Sequence, residues 1–294
     1  MRVHLCGVRG STPAPGADFA RYGGHTSCVA VSLGDAVPAL ALDAGTGIRR
    51  LTPLLRGEAF RGTILLSHLH WDHTHGLPFF SGGDNPAAQV SLVIPAQGAS
   101  AEEVLTRAMS PPHFPIHLSE LQGSWTFSSL QTGSHEIEAV SVLALEIPHK
   151  GGRTFGYRLD DGHSTLAYLS DHSPLSLGGG PDGLGEYHQA ARALADDVDL
   201  LIHDAQYTSD ELLTTRRRYF GHSAIDYAVG LGRECGARRV LLFHHDPARF
   251  DRELDAIVRR LEGCSPPVDA AVEGAVYDLS APVPLEDGGE HLPR

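Results

Sequence analysis

A layered α/β fold is what this chain predicts, on three observations. Short apolar runs with the length of buried strands recur along it, stretches with apolar residues every three or four positions lie between some of them, and 294 residues suffice for a substantial core. Runs that cluster in places and alternate with helical stretches elsewhere suit stacked layers better than an all-β or all-α body.

Taken in order, Val3 to Cys6, Leu40 to Leu42, Thr63 to Leu66, Val90 to Ile94, Thr165 to Leu169, Asp199 to Ile202 and Val240 to Phe243 read as strands. Ala101 to Met109, Glu186 to Ala195 and Arg249 to Leu261 carry helical spacing. Pro111 to Ile116 and Leu177 to Gly185 read as irregular loops, the first a plain connection rather than a cover for a site. No repeat or linker divides the chain, so residues 1–280 are expected to form a single domain and 281–294 a flexible C-terminal tail.

Composition narrows the function. Lys and Arg number 23 against 36 Asp and Glu, a net charge of −13, which repels polyanions and makes extended nucleic acid an unfavourable partner. Cys6, Cys28, Cys235 and Cys264 show no C-x-x-C spacing and no leader-like segment precedes them, as expected of a cytoplasmic protein. No apolar run approaches the ~18 residues of a membrane span.

Four of the strands end alike. Ile64-Leu-Leu-Ser runs into His68-Leu-His-Trp-Asp-His73, Leu166-Ala-Tyr-Leu-Ser into Asp171, Leu200-Leu-Ile-His into Asp204, and Val240-Leu-Leu-Phe into His244. If the strands share a sheet polarity, these groups gather along one edge, where α/β sheets place ligands. His68 and His70, two apart on extended backbone, point to one side and can grip one ion. Asp72 and His73 follow a turn and can face a second. Imidazole and carboxylate without thiolate suit zinc first, with manganese and iron as alternatives.

Gly7-Val-Arg-Gly-Ser-Thr-Pro, Leu42-Asp-Ala-Gly-Thr-Gly, Ser67-His-Leu-His-Trp-Asp-His-Thr-His-Gly, Ile147-Pro-His149, Ser170-Asp171, His203-Asp-Ala-Gln-Tyr, Gly221-His-Ser and Leu242-Phe-His-His-Asp-Pro occur in this order along nearly the whole chain. On these residues it resembles the metallo-β-lactamase fold superfamily, and within it the ribonuclease Z-like branch of phosphodiesterases. The resemblance implies a four-layer αββα sandwich. It also implies two divalent ions, one held by His68, His70 and His149, the other by Asp72, His73 and His244, with Asp171 bridging. His245 is the competitor to His244. The same branch pairs a histidine with an acid at the leaving group, matched here by His222 and Asp204, although ribonuclease Z usually has Glu at the latter position. The shorter Asp204 can orient His222 only if the two sit close.

Two such ions about 3.5–4 Å apart lower the pKa of a shared water, so the expected nucleophile is hydroxide held between them. With Asp72 and Asp171 ionised the resting site carries one positive charge, which a phosphodiester monoanion neutralises. The expected function is therefore a metal-dependent phosphodiesterase acting on a small or terminal phosphodiester, such as a cyclic nucleotide. Its rivals are a transfer-RNA 3′-processing endoribonuclease of ribonuclease Z type, a lactonase, thioesterase or β-lactamase on the same fold, and a non-catalytic metal-binding module. Against the first stand the charge and the lack of a recognisable glycine- and proline-rich arm of the kind that clamps transfer RNA.

Other groups carry weaker signals. His25, His75 and His245 are as well explained as loop residues as by an orienting role beside the metals. His113, His117, His135, His163, His172 and His188 are expected in solvent. Gly45-Thr-Gly47 resembles a phosphate cradle but is better read as a tight turn, and Arg216 to Arg218 as a solvated face rather than a substrate contact. A homodimer is compatible with the sequence, which locates no interface.

Overall fold

The computed structural model describes residues 1–280; the expected tail at 281–294 lies outside the described residues. The strands are β1 (Arg2–Gly7), β2 (Cys28–Ser32), β3 (Leu40–Leu42), β4 (Arg61–Leu65), β5 (Gln89–Pro95), β6 (Ser124–Leu130), β7 (Gly133–Ile137), β8 (Val140–Ile147), β9 (Thr154–Asp160), β10 (Thr165–Leu169), β11 (Leu200–Asp204), β12 (Val240–Phe243), β13 (Val268–Ala270) and β14 (Val276–Asp278). The α-helices are α1 (Leu51–Leu54), α2 (Trp71–Thr74), α3 (Ala101–Ala108), α4 (Gln189–Ala195), α5 (Ser209–Thr214), α6 (Ile225–Glu234) and α7 (Asp251–Arg260).

Two seven-stranded mixed sheets result, ordered β14-β1-β2-β3-β4-β5-β6 and β13-β12-β11-β10-β9-β8-β7. In the first, β3 to β6 run parallel; in the second, β10 to β13 do. Alternation along each strand explains the stacking. Val29, Val31, Leu40 and Leu42 of the first sheet meet Leu166, Tyr168, Ile202 and Phe243 of the second in a shared buried core. The residues between them point outward: Ala30, Ala41 and Ile64 pack on Leu51 and Leu105 of α1 and α3, while Ala167, Leu201 and Leu242 pack on Leu194, Ile225 and Leu254 of α4, α6 and α7. Strands apolar on both faces require cover on both, and the helices supply it. The fold is the expected αββα sandwich.

All seven expected strands are present. Seven further strands, β2, β6 to β9, β13 and β14, escaped the reading; β6 and β7 did so because they alternate exposed and half-buried residues and contain no continuous apolar run. The helices start later than the apolar spacing implied, at Gln189 and Asp251 rather than Glu186 and Arg249. The four polar strand ends gather at one edge as expected, and they come from both sheets: β4 belongs to one, and β10, β11 and β12 to the other. They meet at the rim of the sandwich, where the parallel halves of both sheets terminate.

Leu40 lies at the start of β3, the end of that strand remote from this rim, and is 1% exposed in the inter-sheet core. Leu40→Ala is expected to lower unfolding free energy by about 2–5 kcal/mol, read as a shift in the urea midpoint with metal content unchanged.

Candidate metal centre

After β4 the chain bends at Ser67 and runs to His70, itself extended with φ −64° and ψ 156°, before the first turn of α2. The rings of His68 and His70 meet edge to face, centroids 4.4 Å apart. The turn of α2 then brings Asp72 and His73 round to face them. His149 follows β8, Asp171 follows β10 and His244 follows β12.

These seven side chains form two adjoining clusters. One donor atom from each of His68, His70 and His149 lies within 4.8 Å of the others, and the same holds for Asp72, His73, Asp171 and His244. Asp171 faces both. Its Oδ1 is 3.5 Å from His149 Nε2 and 3.9 Å from His68 Nε2, while its Oδ2 is 2.9 Å from His73 Nε2 and 3.3 Å from His244 Nε2.

The residues fit divalent cations. His68 Nε2, His73 Nε2 and Asp171 Oδ2 are buried without a hydrogen-bond partner, and burial of unpaired polar atoms is unfavourable unless something else engages them. His73 Nε2 and Asp171 Oδ2 approach each other without the angle of a hydrogen bond, as atoms do that are aimed at a common point. The protonation states agree. Burial lowers the pKa of His68 and His70 and takes His149 down to about 4, leaving neutral imidazoles, the ligating form. Burial would raise the Asp72 carboxyl, yet His73 and His244 hold it well below the ordinary range, and Asp171 is likewise depressed by His244, His73 and His68. Conversely, burial opposes protonation of His244 and His73, but Asp171 and Asp72 raise both, His244 to about 9. Carboxylates that draw in protons this way would draw in a divalent cation, with proton release.

A supporting layer orients the ring nitrogens. His149 Nδ1 donates to the Gly221 carbonyl at 2.6 Å, turning Nε2 to the cluster. His73 Nδ1 donates to Asp43 Oδ2 at 2.8 Å, and the same carboxylate accepts from Tyr168 Oη, Ser67 Oγ and the Ser67 amide. Ser67 Oγ in turn accepts from His68 Nδ1 at 3.0 Å. The Ser11 amide donates to Asp72 Oδ2 at 2.6 Å. Asp43 and His244 both adopt left-handed φ, 62° and 58°, turning the chain sharply off β3 and β12 at a cost of about 1–3 kcal/mol each. Sequence reading missed Asp43, although it follows an apolar strand as Asp171 does, and the strand-end pattern would have found it. At Gly10 a Cβ would lie 2.3 Å from His244 Nδ1, so only glycine admits that ring.

His222 and Asp204 stand at the edge of the clusters. His222 Nδ1 donates to Asp204 Oδ2 at 3.0 Å, so the shorter acid reaches its partner. Asp204 is itself fixed, with Oδ2 accepting from the His172 amide and Oδ1 from the Gln206 amide. The His222 ring stacks 4.9 Å from His244. With Ser11, His70, Asp72 and Asp171 it lines a cleft of about 360 Å³.

The remaining residues sort differently. His245 Nε2 donates to the Ala271 carbonyl, away from the centre, and His25 Nδ1 donates to Glu273. The expectation that His172 is in solvent is wrong: it is fully buried, hydrogen-bonded to His203 and half-buried His188, because the turn after β10 folds beneath α6. His135 is also half-buried, while His113, His117 and His163 are exposed. Arg217 is committed to Glu211 and Asp246. Gly45 and Gly47 serve close packing, since a Cβ would meet the Asp72 carbonyl and Gly7 respectively.

A family model described as beta-lactamase superfamily domain matches residues 39–245. Ribonuclease Z of Salinibacter ruber is 26% identical over 87% of this chain and 89% of its own length. Among solved structures, the metallo-beta-lactamase fold protein YhfI of Bacillus subtilis superposes with TM-score 0.68 at 18% identity, covering 94% of this chain and 99% of that one. Zinc-bound PqqB of Methylobacterium extorquens gives TM-score 0.65 at 17% identity, covering 95% and 100%.

Two outcomes test the supporting layer. Asp43→Asn is expected to weaken zinc affinity by about 10–100-fold in a chelator competition. Gly10→Ala, which drives a methyl into the His244 ring, is expected to lower bound metal, measured by elemental analysis, while far-ultraviolet circular dichroism stays unchanged.

Proposed function

This chain belongs to the beta-lactamase superfamily and is a metallo-hydrolase of the ribonuclease Z-like branch, and we propose that it is a phosphodiesterase acting on a small or terminal phosphodiester. In this reading residues 1–280 form one hydrolase unit that binds two zinc ions. His68, His70 and His149 would hold one, Asp72, His73 and His244 the other, and Asp171 would bridge. Bound there, the ions supply Lewis acidity toward a phosphoryl oxygen and a lowered pKa for water.

The observation that carries the reading is the buried His222–Asp204 pair, of which His222 lines the cleft and Asp204 lies behind it. Hydrolysis of an alkyl phosphodiester expels a poor alkoxide leaving group, which needs a proton in the transition state. Asp204 takes Nδ1, so Nε2 is the nitrogen left to carry a proton to the departing oxygen. Asp204 also stabilises the protonated ring before transfer. A lactone or β-lactam also expels a group that needs a proton, so charge separates the readings: two divalent cations held with only Asp72 and Asp171 as carboxylates in the two clusters would leave the site positive, which suits a phosphodiester monoanion better than a neutral ring. The cytoplasm is the setting proposed, consistent with four unpaired cysteines; no helix among the described residues is long and apolar enough to cross a membrane.

A second reading is favoured by the curated relative named ribonuclease Z: endonucleolytic processing of transfer-RNA 3′ ends by the same centre. The net charge of −13 weighs against an extended backbone contact, and cleavage of precursor transfer RNA would decide for it.

Metal analysis of the purified protein, with a side-by-side screen of phosphodiester, phosphomonoester, lactone, thioester and precursor transfer-RNA substrates, tests the proposal. Two zinc ions per chain and turnover confined to small phosphodiesters are expected. His68→Ala and Asp72→Ala are expected to lose metal and activity together. His222→Ala is expected to lose at least ~10²-fold on a diester with an alkoxide leaving group and far less with 4-nitrophenolate. An equal loss on both would remove His222 from proton transfer, and turnover of lactones alone would overturn the phosphodiesterase reading.

A further inference from the structure

Trp71 sits between His70 and Asp72 in sequence, yet its own side chain is 69% exposed. A core-building role does not explain a large indole so placed. Together with Leu69 it lines two cavities, the cleft of about 360 Å³ and a groove of about 950 Å³. That size falls in the range of small-molecule sites.

Rings share the lining of the groove with Val104, Leu105, Ala108 and Met109. His75 stacks on Trp71, centroids 5.3 Å apart and planes 20° from parallel. Phe79, 59% exposed, meets Phe114 edge to face at 5.9 Å. Phe114 comes from the Pro111 to Ile116 loop, expected as a plain connection, which instead forms part of the groove wall. In a chain of net charge −13, no carboxylate among the described residues lines the groove, whereas Arg49 does, as does Arg107, which is paired with Glu103. A cavity with rings and Arg49 in its lining, sharing Leu69 and Trp71 with the cleft beside the catalytic centre, matches an anion carrying a flat ring.

We infer that this groove binds a planar aromatic ester group of the phosphodiester, with Trp71, Phe79 and Phe114 as its contact surface. The inference rests on the phosphodiesterase reading for the identity of the anion. Ring-on-ring contact rewards planarity and polarisability as well as area, so an aromatic group outbinds a saturated one of similar bulk. The groove thereby selects among diesters that the catalytic centre alone would treat alike.

Three methyl phosphodiesters test it, their second ester group being 2-naphthylmethyl, cyclohexylmethyl or ethyl, with turnover followed by phosphorus nuclear magnetic resonance. The naphthylmethyl ester is expected to show a KM about 10-fold below the ethyl ester, with the cyclohexylmethyl ester between them and kcat little changed. In Phe79→Ala the ratio between naphthylmethyl and ethyl esters is expected to fall toward one. Equal KM values, a preference untouched by Phe79→Ala, or a cyclohexylmethyl gain as large as the naphthylmethyl one would each overturn the inference. Calorimetry with 2-naphthylmethylphosphonate against methylphosphonate probes the groove independently of turnover. Preferential binding of the aromatic phosphonate without turnover of any diester would sink the phosphodiesterase reading and support the aromatic site. Equal binding, or a dimer in light scattering that Phe79→Asp dissolves, would assign the groove elsewhere.

Discussion

Asp171 is the residue on which the rest of the centre depends. One carboxylate oxygen turns to His68 and His149 and the other to His73 and His244, so two groups of donors share a single buried negative charge. Such an arrangement is unfavourable in isolation, because a buried carboxylate amid imidazoles is costly unless every partner is held at the right distance. The surrounding fold can be understood as what holds them there. Asp171 leaves β10, His73 follows β4 and His244 follows β12, and only a sandwich whose parallel halves terminate at one rim brings these ends together.

Rigidity at that rim has identifiable sources. Asp43 accepts four hydrogen bonds, linking β3, the segment after β4 and Tyr168 of the facing sheet, so the orientation of His73 is tied to the inter-sheet core itself. Asp204 does the same for His222, gripped by the turn after β10 and its own following loop. Each ring presents one nitrogen to the cleft because the other is occupied. The two buried acids are thus structural and electrostatic parts at once.

Arrangement at the rim also separates chemistry from selection. The His68 to His73 segment supplies donors on one side and, through Trp71 and the α2 turn, the wall of an aromatic groove on the other. Successive side chains in the single turn of α2 are rotated by about 100°, so exposed Trp71 faces away from buried His73, and the same short segment serves both.

Much of the site was legible in the amino-acid order. Apolar strands ending in His or Asp announced residues that meet in space, and the spacing of His68, His70, Asp72 and His73 followed from the different periods of extended and helical backbone. Asp43 carried the same signal without being singled out. Other features had no local signature. Whether the strand ends lay in one sheet or two is a matter of long-range pairing, invisible to local hydrophobicity. Half-exposed strands such as β6 and β7 lack the apolar run that betrays a strand, and His172 reads as a loop residue although the fold buries it completely. Local composition and periodicity therefore determined which residues could serve as donors and on what kind of segment each stands. Which atoms face one another, and that Trp71 and Phe114 enclose a groove, was decided only by tertiary packing, since those distances arise between segments far apart in the chain.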